Sequence, residues 1–112
     1  MTTVEIKEKI FDYIQKVRDG VSFVEIERLF SPTEIKGELA MEFKHNLIMW
    51  AGMNEKFCDA MRLLQKEKKV AVTPTTVFVY MVDGGMLKLP IAKSARDYKE
   101  PHWVPVVFGL AK

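Results

Sequence analysis

The side chains best suited to catalysis or metal binding are few and widely separated in this sequence. The chain has one cysteine, Cys58, and two histidines, His45 and His102. A cysteine beside a histidine could act as nucleophile and general base. However, Cys58 falls among the apolar positions of a predicted helix, where cysteine usually behaves as a small hydrophobic residue. His45, Cys58, Asp59 and His102 also lack the close spacing of zinc ligands. We therefore expect no metal site, no cofactor and no enzymatic activity.

Basic residues are concentrated in the second half of the chain. Residues 1–52 contain seven Lys/Arg and nine Asp/Glu, a net charge of −2, and residues 53–112 contain ten and six, a net charge of +4. Such an asymmetry can mark a nucleic-acid-binding face. Ordinary surface composition produces it as well, and the overall net charge of +2 is too small to identify a polyanionic partner.

Length and composition indicate one globular domain spanning residues 1–112. A chain of 112 residues has the usual size of a single domain, and 48% hydrophobic residues exclude a disordered chain. The longest charge-free run, residues 70–82, contains thirteen residues, fewer than the ~20 that a membrane span requires. A single cysteine excludes an internal disulfide and fits a reducing compartment. We expect a soluble cytoplasmic protein with no membrane partner.

Two helices are predicted near the N-terminus from capping boxes. Thr2 and Glu5 begin the first helix, in which Ile6, Ile10 and Ile14 recur at helical spacing. Asp19-Gly20 marks its end. Ser22 and Glu25 form a second capping box, which predicts a short helix over residues 23–30.

A third helix is predicted over residues 55–68, with Asn54 as its N-cap. Its apolar face contains Phe57, Ala60, Met61 and Leu64 at helical spacing. The segment before it is harder to interpret, since Ser31-Pro32 resembles a helix start whereas Gly37 would end that helix early. Extended structure is predicted for residues 47–51, with a possible pairing to the strands that follow the third helix.

A small antiparallel meander is predicted after the third helix. Residues 70–72, 77–82 and 86–89 form three apolar runs, and Asp83-Gly84-Gly85 between the last two is typical of a tight hairpin turn. Because these glycines lie between predicted strands and do not begin a helix, they indicate no phosphate-binding loop. In the tail, residues 104–108 are predicted to form an extended edge segment, since prolines disfavour a central strand.

The order helix 4–17, helix 22–30, helix 55–68 and strands 70–82 resembles a winged helix-turn-helix domain over roughly the first eighty residues. The resemblance implies an α+β, winged-helix-like fold with three helices packed on a small antiparallel sheet. The body would span about residues 3–90, followed by an extended aromatic segment at residues 91–112. In that family the third helix enters the major groove, and a wing, here residues 73–76 or 83–85, contacts phosphates or the minor groove.

The favoured hypothesis is a small regulatory protein that binds double-stranded DNA, either as a monomer or as a homodimer. The residues predicted to contact DNA are Lys56, Arg62, Lys66, Lys68, Lys69, Arg96 and Lys99. The alternative is a non-enzymatic protein–protein interaction module of the same fold that binds no nucleic acid. Aromatic residues of the tail could form an interface with a second copy or another protein, or could cover the sheet of their own chain. These residues are Tyr98, His102, Trp103 and Phe108.

Overall fold

Residues 1–94, 96 and 98–111 are described by the computed structural model of the chain. In this part of the chain, five helices and six strands form an α+β fold with two three-stranded sheets. The elements are α1 (Thr3–Val17), β1 (Val21–Ser22), α2 (Phe23–Glu27), α3 (Pro32–Ile35), β2 (Lys36–Lys44), β3 (Leu47–Met53), α4 (Glu55–Lys66), β4 (Val70–Pro74), α5 (Val77–Asp83), β5 (His102–Trp103) and β6 (Val106–Leu110). The predicted α+β class is confirmed, although the described residues contain two helices more than the three predicted.

The capping signals place the predicted helices correctly. The Oγ1 atom of Thr2 accepts a hydrogen bond from the Glu5 N–H at 3.1 Å, and the Ser22 Oγ accepts one from the Glu25 N–H at 3.2 Å. The Asn54 Oδ1 accepts one from the Phe57 N–H at 2.9 Å, which starts α4. The second helix ends earlier than predicted, at Glu27. The ambiguous segment contains the one-turn helix α3, in which the Ser31 N–H donates to Glu34 Oε1 at 2.8 Å.

The predicted meander is wrong, because residues 77–83 form the helix α5 and residues 86–89 form no strand. The helix ends at Gly84, whose φ of 90° is left-handed and whose N–H donates to the Tyr80 carbonyl at 2.9 Å. Gly84 therefore terminates a helix and does not form a hairpin turn. The β-branched and aromatic residues of this segment favour strands only weakly, and tertiary contacts override that preference. The strand predicted at residues 70–72 is confirmed as β4.

The first sheet has the order β1–β6–β4 and is antiparallel throughout. Phe108 of β6 pairs with Val21 on one side and Val72 on the other. The prediction of an edge segment at residues 104–108 is therefore wrong, since β6 is the central strand. Pro105 is compatible with this position because it precedes β6, and Pro74 is the last residue of an edge strand.

The second sheet has the order β2–β3–β5. It confirms the extended structure predicted for residues 47–51, which pair antiparallel with β2 rather than with the first sheet. Strand β5 joins β3 in parallel, with Ile48 opposite Trp103. The core contains an aromatic cluster in which the centroids of contacting rings lie 5.0–6.1 Å apart. Its members are Phe23, Trp50, Tyr80, Trp103 and Phe108. In the described residues, no helix combines the length and apolar composition needed to cross a membrane.

Candidate interaction surfaces

The outward face of α4 carries balanced charge. Glu55, Asp59, Arg62 and Lys66 lie along this face at helical spacing, giving two acidic and two basic side chains. Arg62 Nη1 lies 3.2 Å from Asp59 Oδ1, so part of the predicted DNA-binding charge is paired within the helix. Strand β2 borders the same face, because Arg62 and Glu42 line one groove. The middle of α4 therefore offers little net positive charge.

The other predicted DNA contacts on this side lie at the two ends of α4. At the N-terminal end, Lys56 Nζ donates to the Met1 carbonyl at 3.2 Å. At the C-terminal end, Lys66 and Lys68 are exposed, and Lys69 Nζ lies 5.2 Å from the centroid of the Phe11 ring. The structure thus brings together three lysines of the predicted set where α4 ends.

Arg96 and Lys99 lie in a different region. Arg96 is exposed and its guanidinium stacks 4.9 Å from the centroid of the Tyr98 ring. The Tyr98 carbonyl accepts a hydrogen bond from Asn46 Nδ2 at 2.8 Å, which attaches this segment to the turn between β2 and β3. The stacking on Tyr98 therefore places Arg96 beside the second sheet, and Lys99 is exposed in the same segment, whereas the other five predicted residues belong to α4 and the turn that follows it.

The aromatic residues of the tail divide into core and surface residues. Trp103 and Phe108 are fully buried in the core of their own chain, and Trp103 Nε1 donates to the Met49 carbonyl at 3.2 Å. Tyr98 and His102 stack at the surface with ring centroids 3.8 Å apart. Burial of Trp103 and Phe108 supports the alternative that the tail covers its own sheet, and leaves Tyr98 and His102 as the accessible members of the predicted interface.

Cys58 occupies a core position in α4. Its side chain is fully buried, and this burial raises the pKa of the thiol. A reactive cysteine requires the opposite, a lowered pKa at an accessible site. Among the described residues, no cluster of three or more His, Cys, Asp or Glu side chains is arranged to hold a metal ion.

Helix α5 presents an apolar surface that the sequence analysis missed. Phe78, Met81 and Val82 point outward, with exposed fractions of 68%, 53% and 86%, and Met86 just beyond the helix is 52% exposed. We call these four residues the α5 patch. Thr76 as N-cap and Gly84 as terminator could have revealed a helix, since both types favour these positions. Because residues 77–82 are predicted from the sequence as a strand, that prediction gives no reason to expect an exposed apolar helix face.

Three side chains hold α5 firmly against the body. Tyr80 points into the core, where its hydroxyl donates to the Val106 carbonyl at 2.5 Å and accepts from the Phe23 N–H at 3.2 Å. At the end of the helix, Ser22 Oγ donates to Asp83 Oδ2 at 2.6 Å, and Arg28 donates to the Asp83 carbonyl. The α5 patch is therefore displayed on an anchored helix.

In comparisons with known proteins, no family model, no curated protein and no solved structure matches this chain.

Proposed function

We propose that this protein is a non-enzymatic protein–protein interaction module of winged-helix-like fold that pairs with a second copy of itself. The observation that carries the proposal is the α5 patch. Exposed apolar residues are ordinary when they are scattered, but a contiguous group on one helix is typical of an interaction surface. A helix that is apolar on all sides is normally covered on all sides. In α5, Tyr80 is buried and Val77 and Val79 are partly buried, but Phe78, Met81 and Val82 are exposed.

The winged-helix-like part of the proposal is supported by the order and pairing of the elements. Helices α1, α2 and α4 occur in the predicted order, and β4 directly follows α4. Strand β6 joins β4 and β1 into one antiparallel sheet behind these helices. Helix α3 and the pair β2–β3 form an insertion between α2 and α4.

The lack of charged residues in the α5 patch favours a second copy of this chain as its binding partner. The α5 patch contains no ionisable side chain, so it has no charge with which to select a basic or acidic partner. In a two-fold symmetric pair, each patch meets an identical patch, and uncharged apolar residues meet without like-charge repulsion. The net charge of +2 per chain adds only a weak long-range repulsion between copies.

Replacing Val82 with Asp is expected to abolish self-association. Val82 is 86% exposed in the single chain, so the variant should fold normally. An aspartate buried without a partner between two apolar patches should weaken the dimer at least about a hundredfold. Sedimentation equilibrium over a range of micromolar concentrations measures this. We expect a dimer for the unchanged protein and a monomer for Val82→Asp.

The matched control is Val4→Asp. Val4 is also an exposed valine, 53% exposed, but it lies in the first turn of α1, where an acidic residue is favourable. This variant should associate as the unchanged protein does. A monomer at all concentrations for the unchanged protein, or equal association of both variants, would show that the α5 patch does not pair copies of this chain.

Binding of double-stranded DNA is a second proposal, supported by Lys66, Lys68 and Lys69 at the end of α4. Several lysines close together can displace counterions from the phosphate backbone, so affinity should fall linearly with salt on logarithmic scales. We expect fluorescence anisotropy to detect binding of a random duplex at ~50 mM salt. The double variant Lys66→Glu/Lys68→Glu should lose this binding, while Lys88→Glu, which reverses the charge of a single exposed lysine beyond α5, should retain most of it.

Two results would oppose the DNA proposal. One is the absence of binding at low salt with the protein shown to be folded by circular dichroism. The other is an equal loss of affinity in Lys66→Glu/Lys68→Glu and in the Lys88→Glu control, since general charge and not the end of α4 would then explain the signal. Neither result bears on dimerisation through the α5 patch, so the two proposals are tested independently of each other.

A further inference from the structure

A pocket of about 430 Å³ lies where the two sheets meet. Its walls come from the end of β4 and the start of α5, from the β2–β3 turn region, and from the two chain segments on either side of β5. Most of the lining is apolar. The main apolar residues are Phe43, Leu47, Val77, Ile91, Val104 and Pro105. Its size and apolar lining are typical of pockets that bind small molecules.

The pocket walls are held in place by backbone hydrogen bonds between the segments. The Thr75 N–H donates to the Pro105 carbonyl at 2.8 Å, and the Val104 N–H donates to the Ile48 carbonyl at 2.9 Å. The Ala92 N–H donates to the Trp103 carbonyl at 2.9 Å. Because each bond connects a lining segment to a different part of the body, the pocket is preformed and requires little ordering when a ligand enters.

The pocket lining contains few polar groups, and one of them is positively charged. Among the described residues that line the pocket, Lys93 is the one ionisable side chain. Thr75, Thr76 and Ser94 add hydroxyl groups that can donate hydrogen bonds. An apolar cavity with an ammonium group and hydroxyl donors is complementary to a molecule with an apolar body and one anionic group.

We infer that this pocket binds a small carboxylic acid with an aliphatic or aromatic body. The apolar part of the ligand lies against Phe43, Val77 and Val104, where it displaces water from apolar walls. The carboxylate lies at the Lys93 side, where it gains a charge-assisted hydrogen bond. This site is separate from the α5 patch, because none of the four patch residues lines it.

Octanoate and octan-1-ol are suitable probes, since they have the same apolar chain and differ in the charged group. Titrations of the ¹⁵N-labelled protein are followed by ¹H–¹⁵N correlation spectra, with each probe kept below its aggregation concentration. We expect saturable shifts at the amides of Thr75, Thr76 and Ala92, and tighter binding of octanoate than of octanol. Lys93→Gln should weaken octanoate binding about fivefold, as for a partly exposed ion pair, and leave octanol binding unchanged.

Lys88→Gln is the control, because it removes an exposed lysine that does not line the pocket. It should bind both probes as the unchanged protein does. The inference is overturned if octanoate gives no saturable shifts at these amides, or if its shifts centre on residues 78–86. It is also overturned if Lys93→Gln and the unchanged protein bind octanoate equally, because the anion would then not be recognised by Lys93.

Discussion

Deletion of residues 101–112 is expected to leave the chain unfolded. The deletion removes β6, the central strand that pairs with both β1 and β4, so both remaining strands lose their partners. It also removes Trp103 and Phe108, two fully buried members of the aromatic cluster. Losing either large aromatic side chain alone costs about 3–5 kcal/mol, which approaches the whole stability of a small domain. Circular dichroism and the dispersion of amide resonances would show the loss of the fold.

The control for this deletion is Lys99→Ala/Glu100→Ala, which changes two exposed residues just before the deleted segment. We expect this variant to fold normally. The opposite outcome for the deletion is equally informative. If the truncated chain stays folded but its oligomeric state changes, the tail is an assembly arm. The intramolecular pairing of Phe108 with Val21 and Val72 makes that result unexpected.

Local chemistry explains the elements that could be predicted from the sequence. A capping residue acts on a backbone N–H two or three residues away, so Thr2, Ser22 and Asn54 identify helix starts without knowledge of the rest of the fold. The apolar stripe of Ile6, Ile10 and Ile14 similarly predicts the buried face of α1. The exposed position of Lys66 on α4 follows from the same periodicity.

The elements that were missed depend on contacts between distant parts of the chain. A short apolar run such as residues 77–83 satisfies helix and strand patterns about equally well. The Tyr80 hydroxyl accepts a hydrogen bond from the Phe23 N–H and donates one to the Val106 carbonyl, and both bonds favour the helix in this fold. Neither partner is near Tyr80 in sequence. The central position of β6 likewise depends on pairing Phe108 with Val21. Because the sequence pattern predicts a strand at residues 77–82, it indicates neither the α5 patch nor the pocket beside Val77.

The hydroxyl of Tyr80 is the polar centre of the core, and its titration makes stability depend on alkaline pH. Burial raises the pKa of Tyr80 from 10.0 to about 12. Between these values the unfolded chain loses the phenolic proton while the folded chain keeps it, so stability present below pH 10 falls as the pH rises towards 12. A shift of this size corresponds to about 2–3 kcal/mol at pH 12. Tyr13 adds to the effect, since its hydrogen bond to Glu25 raises its pKa to about 12.

Replacing Tyr80 with Phe is therefore expected to lower stability at neutral pH and to flatten its alkaline decline. The ring is retained, but the Phe23 N–H and the Val106 carbonyl lose the buried hydroxyl, which should cost about 2–4 kcal/mol. Urea unfolding at pH 7, 10 and 11 measures both effects. Tyr13→Phe is the matched control, because its half-buried hydroxyl bonds a side chain and no core backbone group, so it should cost less at pH 7. Equal stability of Tyr80→Phe and the unchanged protein at pH 7 would mean that this hydroxyl does not hold α5 against the sheet.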